Sequence, residues 1–434
     1  MSFKPVQKLA VYRTLTTGES LSVGTLAQNR QGVFFQYDMD YLQQLGSLSP
    51  FLLPATGQLQ AAPATPHSGL HGVFADSLPD GWGLLLQDRV FRQQGILPGQ
   101  LTAMDRLAFV GQHGMGALRY APTSRYQVEH PTDVDLASLG MEAQALFEGQ
   151  TEEVLMALVA AGSSGGARPK AQLYFAPDQT KRCRTFAQAG DEAWLVKFTS
   201  SQLALGHEEG ICEAVYLTMA AKANLRPPEW RLMDVATASG SRRWLALKRF
   251  DWVSHATTGQ NQPGRLHLHS ACGLLDADFR TPSLDYLDLI KASRQLCQSP
   301  AIGQLQFHRA IFNLFACNQD DHSKNWAFLQ DDQGRWQPAP FYDVTFSPHP
   351  FNEHATAYAG YGKAPPLKAI QKLAASSGYS HWPQARQHLQ QIVDAISEFG
   401  ALAQGQGVSK STISAINAQL NACWQQNKAL LGAD

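Results

Sequence analysis

The segment FNLFACNQDDHSKNWAFL places Asp320 five residues before Asn325, and Asp343 follows eighteen residues after that within FYDVTF. A carboxylate, a neutral amide and a second carboxylate in this order suit phosphoryl transfer. That chemistry needs one carboxylate to orient the attacking hydroxyl and accept its proton, and oxygen ligands to hold magnesium against a nucleotide's phosphates. Asp320 fits the first role. Asn325 and Asp343 fit the second, because an amide oxygen and a carboxylate can share a hard cation while the phosphates supply the remaining negative charge. A nucleotide and magnesium are therefore the expected cofactors.

The spacing from Asp320 to Asn325 equals the D-x-x-x-x-N of protein-kinase catalytic loops. One Asp and one Asn at a fixed separation recur by chance in a long chain, so their setting matters. The apolar run IFNLFAC leads in, the strand-like WAFL leads out, and the turn QDDQGRW precedes the second Asp. The competing view makes Asp320 and Asp321 solvated turn residues and Asp343 a cap.

Lys197 stands inside the apolar strand pattern WLVKF, where an unpaired ammonium is costly to bury. Nucleotide phosphates and a helix glutamate would supply its counter-charge. Glu213 is the first candidate, with Glu209, four residues earlier on the same helical pattern, behind it. The alternative is that Lys197 snorkels to solvent at a strand end. Upstream, AGSSGGARPKAQLYF is a glycine- and serine-rich turn feeding a strand. Its Ser163, Ser164, Gly165 and Gly166 can turn backbone N–H groups toward phosphate oxygens, with Arg168 and Lys170 adding charge. It matches neither G-x-x-x-x-G-K-[ST] nor G-x-G-x-x-G, and a surface turn is the default without the other residues. LALKRFD then reads as a hinge that holds an adenine edge, with Lys248, Arg249 and Phe250 nearest.

Positioning these groups requires a scaffold, and hydrophobic periodicity outlines one. Residues 8–38 alternate in LAVYR and GVFFQY around turn signals, so a small β-rich unit opens the chain. PATGQLQAAPATP, with three prolines, reads as an exposed loop, and SLPDGWGLLLQDRVFRQQG as a turn feeding a helix. Periodicity fades between about 121 and 155, which places a boundary near Thr151. Residues 1–150 then form an N-terminal region. Residues 151–250 form a nucleotide-binding lobe from the strands AQLYF, AWLVKF and WLALKRF and the helix EEGICEAVYLTMAAKANL. Residues 251–434 form a helical catalytic lobe, with YLDLIKASRQLC, QFHRAIFNLFAC, LQQIVDAISEFGALA and ISAINAQLNACWQQ at helical spacing.

Composition narrows the class. At 434 residues two or three packed units are expected, and 35 basic against 36 acidic residues leave no overall excess of positive charge that would by itself suggest a nucleic-acid coat or a polybasic membrane anchor, with a local basic patch still open. Six scattered cysteines form no C-x-x-C pair and read as reduced, buried thiols. The start MSFKPVQKLAVYRT lacks a signal-like apolar core, and no window approaches the ~20 apolar residues of a spanning helix. A cytoplasmic protein is expected. His308 and His322 read as hydrogen-bonded residues, since no second metal ligand is spaced to help either.

Together these segments resemble the HipA family of bacterial type II toxin–antitoxin kinases. FADSLPDGWG (74–83) and RLAFVGQHGMGAL (106–118) are similar to its N-terminal signatures, GSSGGARPKA (162–171) to its nucleotide-loop region, and NQDDHSKN (318–325) to its N-x-D-x-H-x-K-N catalytic segment. The resemblance implies an α+β fold: a protein-kinase-like bilobed core, a small β-rich N-terminal subdomain and a largely helical C-terminal lobe. It implies a serine/threonine kinase with Asp320 catalytic, Asn325 and Asp343 on the metal, and Lys197, His322 and Lys324 at the ATP. It also implies autophosphorylation of the nucleotide loop at Ser163, with Ser164 adjacent. A helix-turn-helix antitoxin of the HipB kind, which would make any DNA contact, and a translation-related substrate such as an aminoacyl-tRNA synthetase follow from it as well. FADSLPDGWG reads on its own as a tight turn with Trp82 as a packing anchor. The readings set against this one are a small-molecule phosphotransferase and an inactive co-repressor subunit.

Overall fold

The computed structural model describes residues 3–127, 133–151, 156–162, 165–177, 179–254 and 263–432. Alternating apolar residues near the start form β1 (Lys8–Thr14), β2 (Ser20–Asn29) and β3 (Gly32–Tyr37). With β4 (Gln60–Ala61), the short strand within the proline-rich loop, and β5 (Leu118–Ala121), they make a sheet of order β4-β3-β2-β1-β5. Four helices accompany it: α1 (Met39–Leu45), α2 (Gly72–Ala75), α3 (Gly81–Gln93) and α4 (Ala103–Val110). Leu9, Val11, Leu26, Phe35, Phe74 and Leu107 share one core, because each inward residue of a strand meets a helix face.

The second sheet contains β6 (Asp133–Asp135), β7 (Lys170–Phe175), β8 (Arg182–Arg184), β9 (Glu192–Lys197), β10 (Trp230–Thr237) and β11 (Gly240–Lys248). Its order is β10-β11-β9-β7-β8-β6. Its helices are α5 (Leu136–Phe147), α6 (Met156–Ala161) and α7 (Glu209–Lys222). Trp82, Leu86 and Phe91 of α3 pack into the core of this sheet with Leu173, Val196 and Trp244, although in sequence α3 lies between β4 and β5 of the first sheet. Almost every residue of α7 is buried, as required of a helix wedged between a sheet and a second core.

The remainder is mostly helical. A short pair joins β12 (Trp252–Val253) to β13 (Gly264–Arg265), and β16 (Ala327–Gln330) lies between β14 (His267–Ser270) and β17 (Trp336–Pro338) in a three-stranded sheet. A parallel pair links β15 (Leu284–Asp285) and β18 (Thr356–Ala357). Around them lie α8 (Ala271–Leu275), α9 (Tyr286–Cys297), α10 (Pro300–Phe315), α11 (Leu367–Ser377), α12 (Trp382–Ser397), α13 (Phe399–Gly405) and α14 (Lys410–Asn427). Helix α9 starts where Asp285 accepts the Leu287 N–H at 2.7 Å, and α10 starts at Pro300, whose missing N–H costs nothing in a first turn. Tyr216 of α7, Ile311 and Phe312 of α10 and Ile392 of α12 lie in one core, so α7 serves both lobes.

The N-terminal unit touches the helical lobe backbone to backbone. A Cβ on Gly72 of α2 would collide with Gly273 of α8, and one on Gly273 would lie 2.5 Å from the Gly72 oxygen. Beside this contact Asp76 accepts the Ser270 N–H at 2.7 Å and meets His269 Nδ1 at 2.6 Å. The six cysteines are free, five buried and Cys297 half-buried. Among the described residues, no helix is long and apolar enough to cross a membrane.

Candidate active site

Strand β9 ends on Lys197, whose register partner on β7 is Lys170. Two ammonium groups side by side under the sheet demand counter-charge. Lys197 Nζ donates to Glu213 of α7 at 2.6 Å and to Asp343 at 2.5 Å. Its side chain is 8 % exposed and that of Glu213 only 1 %, so this pair is almost fully desolvated. Glu209 is spent elsewhere, on Arg168 at 2.5 Å. Burial opposes ionisation of Asp343, yet the adjacent Lys197 and Lys170 outweigh it and hold the carboxyl well below the usual carboxylate range. Burial likewise lowers Lys197, but Asp343 and Glu213 carry it above the ordinary lysine value. Lys170 moves the other way: burial lowers it more than Asp343 restores. Its ammonium donates to the Gly165 carbonyl at 2.7 Å.

The segment after α10 splits its two aspartates between opposite environments. Asp320 has a side chain 70 % exposed, with its backbone N–H on Ser347 Oγ at 3.3 Å and His322 Nε2 3.9 Å from its carboxylate. Asn325 donates from Nδ2 to the Asp320 carbonyl at 2.7 Å, which closes the loop and leaves the amide oxygen for other use. Asp321 is fully buried and not a solvated turn residue. It accepts from Tyr286 Oη at 2.5 Å, His354 Nδ1 at 2.9 Å, Ala355 N at 2.8 Å and Thr356 N at 3.2 Å. A carboxylate so bonded pins the loop from below and presents its neighbour to solvent. Asp343 sits at φ 50°, a left-handed conformation that Asp tolerates better than most non-glycine residues.

Between the sheet and this loop lies a cleft of about 590 Å³, within the range of small-molecule sites. Leu195, Leu247, Phe250 and Ala327 line it apolarly, while Lys170, Lys197, Asp320, Asn325 and Asp343 line it with charge and amide. Among the described residues, no group of three or more His, Cys, Asp or Glu forms a metal cluster. Asn325 and Asp343 therefore offer a hard cation one amide and one carboxylate, which suits magnesium only when a ligand contributes further oxygens.

A family model described as the HipA-like C-terminal domain matches residues 162–399, and one described as the HipA N-terminal domain matches residues 17–121. The chain belongs to the HipA family. Among solved structures, the Shewanella oneidensis MR-1 toxin–antitoxin complex of HipA, HipB and operator DNA is similar, with a TM-score of 0.68 at 17 % identity. The likeness covers 98 % of this chain and 100 % of that one. It shows the fold: the mixed α and β HipA fold expected from sequence. The Helicobacter pylori proinflammatory kinase CtkA aligns over 57 % of this chain and 95 % of its own at 14 % identity, with a TM-score of 0.31, too low to bear on the fold. No curated protein matches the sequence.

In this HipA-family chain the fold gathers Asp320, Asn325, Asp343, Lys197, Glu213, Lys170, Gly165, Gly166, Arg168, His322 and Lys324 around one cleft or directly behind it. Ser163 and Ser164 lie outside the described residues. The hinge residues divide. Phe250 stacks on Tyr342 at 5.5 Å inside the cleft. Lys248 sits at its rim, paired with Glu192 at 3.0 Å and Glu229 at 3.2 Å. Arg249 is buried and commits its guanidinium to Asp251 at 2.5 Å and Gln172 at 2.5 Å, so its backbone borders the cleft while its charge is already matched. His308 bonds Tyr379 Oη at 2.7 Å, as a hydrogen-bonded helix residue should.

Two groups escaped the sequence reading. Asp321 looked identical to Asp320 beside it. Asp80, inside FADSLPDGWG, meets Lys324 Nζ at 2.6 Å and accepts the Gly166 N–H, which places the presumed packing turn at the site itself. A charged residue in a turn rich in glycine and proline was the available signal. Trp82 does anchor the turn, with Nε1 on the Lys170 carbonyl at 2.9 Å.

Proposed function

We propose that this chain is an ATP- and magnesium-dependent serine/threonine protein kinase. The observation that carries the reading is Lys197, bonded at once to Glu213 and Asp343 at the edge of a cleft that also holds Asp320 and Asn325. Such a lysine is already charged, already oriented and backed by a glutamate, so its ammonium is ready for phosphate oxygens with little reorganisation. Lys170 adds positive charge beside the Gly165–Gly166 backbone, and Arg168, paired with Glu209, lines the same wall. Asn325 and Asp343 would hold magnesium, and the bound nucleotide supplies the transferable phosphoryl group. Asp320, exposed and braced by the buried Asp321, would orient a substrate hydroxyl and receive its proton. Leu195, Leu247 and Phe250 offer the apolar walls an adenine ring requires.

The Shewanella relative is solved with HipB and operator DNA, which supports an antitoxin of that kind as the partner here, with DNA contacted through it. A protein substrate connected with translation, an aminoacyl-tRNA synthetase being the leading class, autophosphorylation at Ser163 or Ser164 and action in the cytoplasm complete the reading. Incubation of the purified chain with Mg·ATP followed by mass spectrometry tests it. Phosphate on the 162–170 loop, absent from Asp320→Ala, supports a protein kinase. A chain left unmodified while small hydroxyl compounds gain phosphate would move the reading to a small-molecule phosphotransferase, and no nucleotide binding at all would overturn both.

A further inference from the structure

Asp80 precedes α3, where an aspartate normally caps the helix by accepting its N2 or N3 N–H. Here no such bond is made within the described helix. One carboxylate oxygen instead accepts the Gly166 N–H, and the other accepts from Lys324 Nζ at 2.6 Å. A single buried carboxylate thus joins the loop that opens β7 to the segment that carries Asp320. Lys324 and Gly166 together pull Asp80 below its usual range against the burial that would raise it, with Lys324 the stronger of the two.

The surrounding backbone is built to allow this contact and little else. Gly81 has φ 40°, and a Cβ there would lie 2.6 Å from the Gly166 carbonyl oxygen. Trp82 donates its backbone N–H to that carbonyl at 3.0 Å and its indole N–H to the Lys170 carbonyl at 2.9 Å. Trp82, Leu86 and Phe91 fix α3 in the core beneath β7 and β9. Asp80 therefore projects from a rigid platform, whereas the groups it grips belong to a glycine loop and to a lysine ending a flexible stem. The Lys324 ammonium also lies 4.2 Å from the centre of the Phe279 ring, so two contacts fix its place inside the cleft.

We infer that Asp80 is a positioning residue contributed from outside both kinase-like lobes, which latches the 165–170 segment onto the cleft and sets Lys324 within it. The inference rests on the proposed nucleotide site for its functional consequence, but the latch itself stands on geometry. Releasing it frees the loop whose backbone would face phosphate, so nucleotide affinity falls. Releasing Lys324 alone disturbs turnover and spares the loop.

Hydrogen exchange on the full-length chain distinguishes these effects. Asp80→Ala removes both contacts, and exchange in a peptide covering 165–170 should quicken by about tenfold or more. Asp80→Asn keeps an acceptor for Gly166 but discards the charge, and should retain most of the protection. Lys324→Ala should leave that peptide within about twofold of wild type. In a Mg·ATP kinase assay Asp80→Ala should raise KM for ATP by about tenfold, while Lys324→Ala should lower kcat more than it moves KM. Equal exchange in wild type and Asp80→Ala, with a cooperative melt showing that the variant is folded, overturns the latch. A wild-type protein that binds no nucleotide, but whose 165–170 exchange still quickens in Asp80→Ala, overturns the kinase assignment and leaves the latch intact. Should Asp80→Ala fail to fold, Asp80→Asn decides: unaltered KM and kcat would sink the positioning role.

Discussion

Replacing Lys197 with methionine strips Glu213 and Asp343 of the cation they share. Glu213 is 1 % exposed and has nowhere to rehydrate, whereas a third of the Asp343 side chain remains in solvent and Lys170 stands nearby. Removing one partner of a buried pair costs about 3–5 kcal/mol, and the partly solvated Asp343 places the loss near the lower end, about 3 kcal/mol. A second replacement, Glu213→Met, exchanges the orphaned carboxylate for methylenes, and the double variant should recover most of that loss because apolar packing often equals a buried ion pair. Equilibrium urea denaturation of wild type, both single variants and the double variant measures the four corners. All three variants should be inactive, since the lysine and its glutamate act together. If Lys197→Met costs less than about 1 kcal/mol, or the double variant loses the sum of the singles, the pair is not the coupled, desolvated unit described above.

The two adjacent aspartates should respond in opposite ways. Asp320→Ala should lower kcat by at least about a hundredfold while leaving the urea midpoint unchanged, because its side chain is largely solvated. Asp321→Ala should cost about 3 kcal/mol or more, since it orphans Tyr286, His354 and two backbone N–H groups at once. Burial pushes His71, His113 and His308 each down to about 4. A group lowered on folding stabilises fully above its unfolded value of about 6.5 and loses that contribution as pH falls toward the folded value, so stability should drop between about pH 6.5 and 4. His308→Gln should flatten part of that decline in a pH series of denaturation midpoints, and an unchanged slope would count against it. Asp343, also lowered, contributes above the ordinary carboxylate value of about 4 and keeps contributing further into acid, so Asp343→Asn should weaken stability at neutral pH and lose less on acidification.

Periodicity located α9 at Tyr286–Cys297 and the strands that carry Lys170 and Lys197, because those segments obey one period and end at strong signals. The Lys197–Glu213 pair was legible for a physical reason, as a lysine in an apolar strand must find an anion. Which glutamate it takes was a matter of one helical turn, and only the placement of Arg168 beside Glu209 fixes it. Asp320 and Asp321 could not be told apart by type. They diverge because Thr356 and His354, more than thirty residues on, fold back onto one of them. Arg249 looked available for a ligand until Asp251, two residues later, closed on it within the core. Asp80 was hidden for the same reason at greater range: its partner Lys324 lies 244 residues away.

The N-terminal unit grips both lobes at points close together in sequence. Helix α2 abuts α8 of the helical lobe at the Gly72–Gly273 contact, and α3 is buried under the second sheet. Ser77, Leu78, Pro79 and Asp80 connect α2 and its Asp76 end to α3, and four fully extended residues reach about 14 Å at most. In any swing of one lobe from the other, this short connection would be among the first elements drawn tight. The unit would then limit how widely the cleft could gape, whatever the cleft holds.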